Sequence, residues 1–159
     1  MKISTLANPR QTILLTSRYK DKDNIMTLDW HTPLSFDPMM YAVSIGKTRY
    51  SLELVRKSKV FVVNFVSKDL EKEVLFCGRN SGRNIDKFKA TGLEKEEAET
   101  INCPIIKKAL AYLECKVKKE IEVGDHILFI AKVSKAVLKR KERRLFHLFE
   151  DKFTTTIDI

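Results

Sequence analysis

One stretch constrains the fold more than any other. From Ala111 to Val123 (AYLECKVKKEIEV), Ala111, Leu113, Cys115, Val117, Ile121 and Val123 share one parity, while Tyr112, Glu114, Lys116, Lys118, Glu120 and Glu122 share the other. Side chains alternate across a strand with a period of two, so the stretch reads as a long, half-buried antiparallel strand whose apolar side is broken only by Lys119. Gly124-Asp125 follows, then a second run over 126–138 with Ile127, Phe129, Ala131 and Val133 on one side. A Gly-Asp pair between two such runs predicts a hairpin.

The rest of the chain agrees with a sheet. Strands are expected over 11–17, 24–29, 39–45 and 145–149, and over 59–66 (KVFVVNFV), whose two apolar faces make it a central strand. Helical spacing of Leu52 and Val55 predicts a helix over 50–57. Leu70, Val74 and Cys77 predict another over 69–76, closed by Gly78. Strands outnumber helices and do not alternate with them, which argues against a doubly wound parallel sheet. The expected class is mainly β, an antiparallel barrel with short flanking helices.

The 159 residues, 43% of them apolar, suffice for one domain over 1–159 with its own core. No repeat, linker or low-complexity segment divides it. The run over 59–66 is too short to span a bilayer, and the first residues (MKISTLANPRQ) lack the apolar core of a signal peptide. Cys77, Cys103 and Cys115 are odd in number and fit no disulfide or zinc spacing, so they read as reduced thiols. The protein is therefore expected in the cytoplasm, with no membrane partner.

Charge and motifs exclude several functions. Lys plus Arg is 30 against 21 for Asp plus Glu, a net +9, but the charges are interspersed except at Lys139–Arg144 (KRKERR). Few aromatics flank that block, and a solvated turn between strands accounts for it better than a nucleic-acid patch. His31, His126 and His147 show no metal-ligand spacing, so no metal is expected. There is no GxGxxG, P-loop or GxSxG. Any difficult chemistry would come from an organic cofactor.

Three segments offer the groups such a cofactor needs. In NIMTLDWHTPLSFDP (24–38) a strand ends at Trp30, followed by a turn with two prolines. Thr27, Asp29, Thr32 and Ser35 set small polar groups around that ring, which suits a flat heteroaromatic ligand, although composition alone favours a buried Trp beside a turn. In SIGKTRYS (44–51) Lys47, Thr48, Arg49 and Ser51 stand where a strand passes into a helix, an end that binds phosphate through free N–H groups or takes an ordinary cap. CGRNSGRNIDKF (77–88) brings Ser81, Gly82 and Lys87 in a polar turn.

In series with LECKV (113–117) and GDH (124–126), these segments resemble the flavin reductase-like family, and within it the flavoredoxin-type proteins, over residues 8 to 138. The resemblance implies a six-stranded antiparallel FMN-binding split barrel, a homodimer with FMN near the subunit interface, and electron transfer from NAD(P)H or a protein donor to a flavin or protein acceptor. It places Thr27, Leu28, Asp29 and Trp30 against the isoalloxazine ring and Leu34 and Ser35 at its other edge. Arg49 and Ser51 would hold the 5′-phosphate, Ser81 and Lys87 would close over the phosphate or ribityl chain, and His126 would be the catalytic residue beside the flavin. The commoner flavin reductases carry small Ser and Asn residues where this chain has LDWHTPLS. A non-catalytic FMN-binding or storage protein is the alternative, and a basic nucleic-acid-binding barrel a further one.

Overall fold

The computed structural model describes residues 2–157. In chain order the elements are α1 (Ile3–Leu6), β1 (Arg10–Gln11), β2 (Ile13–Tyr19), β3 (Lys22–Leu28), β4 (His31–Phe36), β5 (Met39–Gly46), α2 (Tyr50–Ser58) and β6 (Val60–Phe65). A 3-10 turn at Lys68–Leu70 leads into α3 (Glu71–Arg79), α4 (Lys87–Thr91), β7 (Lys95–Glu97), β8 (Pro104–Ile106), β9 (Ala111–Val123), β10 (His126–Leu138), β11 (Leu145–Phe149) and β12 (Lys152–Thr155). The main sheet has the order β3-β2-β6-β9-β10-β5-β4, every pairing antiparallel. Its inner face buries Ile13, Val43, Phe61, Phe129 and their neighbours. Fully burying side chains of this size stabilises by about 2–3 kcal/mol each.

The mainly-β antiparallel class stands, but the main sheet has seven strands where six were expected. The seventh is β4, the segment that read as a proline turn. Pro33 is tolerated there because β4 is an edge strand, and a bulge between Pro33 and Ser35 absorbs the irregularity.

The β9–β10 hairpin forms as expected, turning at Gly124 with φ 55°. Its apolar parity is not continuous. Ala131 pairs with Val117 but Ile130 pairs with Lys119, so Lys118 is an extra residue. A one-residue bulge exchanges the faces of everything beyond it. Cys115 and Val117 face the core opposite Val133 and Ala131, whereas Ile121 and Val123 turn to the other face, where Val123 is exposed. The polar parity is not all solvated either. Glu114 is fully buried because the 99–100 segment folds over it: its carboxylate accepts the N–H groups of Glu99 (3.1 Å) and Thr100 (2.7 Å).

The helices shift slightly. α2 matches its expectation and buries Leu52, Leu54 and Val55. α3 begins later than expected and runs through Gly78 to Arg79, so Gly78 is not its terminator. Gly78 packs against β3, where a Cβ would meet Thr27 Cβ at 3.4 Å, an ordinary contact distance. α4 falls where a loop was read. Asp86 caps it by accepting Lys89 N–H (3.1 Å), and Gly92 ends it at φ 70°.

Candidate functional site

The end of β3, the loop after β5, the start of α2, the end of α3 and the first residue of β10 meet around a cavity of about 370 Å3. That volume lies within the usual range for small-ligand sites. Thr27, Leu28, Asp29, Trp30, Arg49, Ser51, Ser81, Lys87 and His126 all line it. Leu34 and Ser35 do not: they sit on the edge strand β4, with Leu34 half-exposed.

Part of the cavity lining is aromatic. The Trp30 carbonyl accepts the Ser44 N–H (2.9 Å), which fixes the backbone, and the ring stacks on His126 with centroids 4.7 Å apart. His126 is oriented in turn by Asp125, whose Oδ1 lies 2.6 Å from Nδ1. That contact with His126 holds the Asp125 carboxyl below its ordinary pKa. A Cβ on Gly46 would lie 3.6 Å from His126 Nε2, so the second ring nitrogen borders the open space beside β5. The neighbouring Thr27 hydroxyl donates to the Val74 carbonyl (2.5 Å).

Asp29 is turned to other partners. Its Oδ1 accepts from the Thr12 hydroxyl (2.7 Å), its Oδ2 lies 2.7 Å from His147 Nδ1, and its carbonyl accepts from Arg10 Nε (3.2 Å). The carboxylate therefore fastens the Leu28–Trp30 corner to β2 and β11.

The lining is also cationic. Arg49 is the N-cap of α2, and no side chain caps that helix, so its first N–H groups and dipole remain available to an anion. Among the described residues no carboxylate lies within ion-pair distance of Arg49 or Lys87. Lys87 is 4% exposed and donates to the carbonyls of Ile25 (2.8 Å) and Cys77 (2.7 Å), leaving one ammonium proton uncommitted. Burial pushes the pKa of Lys87 down, opposed by the nearby Cys77 and reinforced by Arg49. Burial also pushes the Cys77 thiol up to about 11, so it is no nucleophile. Lys47, by contrast, pairs with Glu122.

Several lining residues carried no assigned role in the sequence: Asn24, Gly46, Tyr50, Gly82 and Arg83. Asn24 is buried and donates to Ser51 Oγ (2.8 Å), while its Oδ1 has no partner. A Cβ on Gly82 would overlap that Oδ1 and come 3.1 Å from Tyr50 Cδ1, so only glycine lets the 80–84 loop close on β3. Arg83 ties this loop to α2: it donates to the Thr48 carbonyl (3.2 Å), pairs with Glu53 and stands over the Tyr50 ring. Each of these residues lies inside the quoted segments or next to one. What identifies them is closeness across the fold, which spacing does not encode.

The donor set fits a flat ring joined by a polar chain to a phosphate. It has a stacked aromatic pair, a buried ammonium with a free proton and an uncapped helix N-terminus.

Comparison with known proteins identifies the family and the fold. A family model described as "Flavin reductase like domain" matches residues 5–156. An uncharacterized protein of Archaeoglobus fulgidus is 39% identical over 125 residues, 79% of this chain and 70% of that one. The flavoredoxin of Methanosarcina acetivorans superposes with a TM-score of 0.89 at 24% identity, covering 100% of this chain and 91% of its own. The FMN-binding protein of Thermus thermophilus, with p-hydroxybenzaldehyde bound, superposes with a TM-score of 0.87 at 24% identity, covering 95% and 88%.

Proposed function

The chain belongs to the flavin reductase-like domain family, and on that premise we propose that it is an FMN-dependent oxidoreductase that takes electrons from NAD(P)H or a protein donor and passes them to a flavin or protein acceptor. The observation that carries this reading is the cavity lining: Trp30 stacked on His126, together with Arg49, Lys87 and the uncapped start of α2. Bound there, FMN supplies a redox centre able to accept a hydride or single electrons.

The chain's own residues do the rest. The first N–H groups of α2 and the Arg49 guanidinium receive the phosphate, and phosphate compensates the buried Lys87 charge. Trp30 excludes water from one side of the ring. His126, oriented by Asp125, holds or delivers a proton at Nε2.

A homodimer belongs to the same proposal. The tip of the β4–β5 hairpin exposes Phe36 completely and Leu34 and Met39 by about half, an apolar surface suited to a second copy. Among the described residues no helix is long and apolar enough to cross a membrane. The three free, buried cysteines favour a reducing, cytoplasmic setting.

The test is an absorbance spectrum of the purified protein, with FMN added if it is colourless. Flavin bands that stay with the protein on gel filtration support the site. Bleaching under anaerobic NADH or NADPH selects the reductase, and bleaching only by a reduced protein selects the electron carrier. Absence of any flavin binding rejects the reading.

A further inference from the structure

Trp30 is a wall shared by two cavities. It lines the first together with His126, and it lines a second of about 330 Å3 that His126 does not reach. Ala7, Arg10, Ala42, Ser44 and Leu128 complete the walls used here. The surface is mostly apolar, with the hydroxyl residues Ser4, Thr32 and Ser44 and one guanidinium, the mixture that orients a small ring.

Arg10 is only partly engaged. Its Nε donates to the Asp29 carbonyl (3.2 Å), and among the described residues no carboxylate lies within ion-pair distance of its guanidinium. The Asp29 carboxylate is already taken by Thr12 and His147. The terminal nitrogens of Arg10 thus keep a planar fork that matches a carboxylate. His31 also borders this cavity but adds no charge. Burial pushes its pKa down, its Nε2–H donates to the Gln11 carbonyl (2.8 Å), and Nδ1 accepts from the Tyr41 hydroxyl (2.6 Å). An apolar cavity with one uncompensated cation at its wall favours an apolar ring bearing one negative charge.

We propose that the second cavity binds a flat aromatic monocarboxylate, its ring beside Trp30 and its carboxylate paired with the Arg10 guanidinium. This site goes beyond the cofactor reading and does not depend on it.

Trp30 is the chain's one tryptophan, so its fluorescence reports the cavity directly. The protein is titrated with benzoate and with benzamide, the neutral isostere, and the titrations are repeated by calorimetry with FMN bound. The expected result is saturable benzoate binding, with benzamide at least about tenfold weaker. Arg10→Gln should bring benzoate down to the benzamide level, and Ala42→Leu, by filling the space, should weaken both. Benzoate should bind with FMN in place. Equal affinity for the two probes, indifference to Arg10→Gln, one-for-one displacement by FMN, or no saturable change would each overturn the proposal. So would a dimer on gel filtration that Ala42→Leu dissociates while benzoate affinity stays the same, for then a second copy covers the cavity. Benzoate binding without any FMN binding would sink the cofactor reading and leave this site intact.

Discussion

Arg18 and Lys87 are both cations drawn into the fold, and their surroundings treat them in opposite ways. Arg18 reaches Asp23 through Nε (2.5 Å) and Nη2 (3.0 Å), Glu97 through Nη1 (2.5 Å) and Nη2 (2.9 Å), and Asn102 (2.9 Å). Hydrogen bonds to Asp23 and then Glu97 push the Arg18 pKa further up. Burial alone would raise Asp23, but its bonds to Arg18 and Lys95 outweigh that and hold it low. Lys87 has only two carbonyls, and its pKa falls. The first cation is a strut whose counter-charges are built into the chain. The second lines a cavity and has no carboxylate within ion-pair distance among the described residues, which on the proposed function leaves its charge for an incoming anion. The partner set, more than the charge itself, separates a structural cation from a binding one.

The sharpest way to break this contrast is Arg49→Ala. Removing the unpaired guanidinium at the α2 N-terminus should weaken FMN by about 100-fold, since charge-assisted hydrogen bonds contribute about 1.5–3 kcal/mol. Riboflavin, which lacks the phosphate, should bind as before. Flavin fluorescence titration reads both, and an equal loss for the two ligands would reject the phosphate assignment.

Arg18→Leu should do the reverse. It leaves the Asp23 carboxylate with Lys95 alone and should lower global stability by about 1–2 kcal/mol, a figure discounted for the exposure of Glu97 and Lys95. FMN affinity should not move. Because the folded-state pKa of Asp23 is depressed, its contribution is present above the unfolded value and is lost as pH falls through the folded one, below 3.8. Urea unfolding of wild type and variant across that acid range checks both statements.

A smaller effect is expected from Gly82→Ala. The new methyl overlaps Asn24 Oδ1, so the 80–84 loop must lift away from β3 and Tyr50. FMN should weaken by about tenfold, as expected when one buried polar contact is lost, with little change in unfolding free energy. A large fall in stability with unchanged FMN affinity would make the loop a structural element only.

The smallest effect is a pH slope. The folded-state pKa of Lys87 lies below 10.5, so between the two values the unfolded chain binds more protons and stability rises with pH. Phosphate favours the charged lysine, so FMN affinity should fall a few-fold as pH climbs through the same window. Riboflavin should show no slope, and Lys87→Met should flatten that of FMN.

The cavity lining recovers most of the residues singled out by sequence, because the quoted segments are strand ends and helix starts that the fold brings to one place. Leu34 and Ser35 are the exceptions. A segment with two prolines gives no periodic signal, so the edge strand β4 that carries them away from the cavity was not legible. Asn24 was missed because its distinguishing feature, an amide oxygen with no partner, arises only when Gly82 closes against it from a distant point in the chain.

The sequence by itself determined the periodic elements: the β9–β10 hairpin, the central strand β6, the amphipathic α2, and the placing of Arg49 and Ser51 at that helix's start. Periodicity and turn chemistry are local, so they survive without knowledge of the partner surfaces. Only the tertiary structure decided which groups are compensated. It turned Asp29 to His147 across the chain, buried Glu114 under the 99–100 segment, exchanged the faces of β9 at Lys118, and left Lys87 and Arg10 without carboxylate partners among the described residues. Charge compensation depends on distances of a few ångströms between residues far apart in sequence, and those distances exist only once the core has packed.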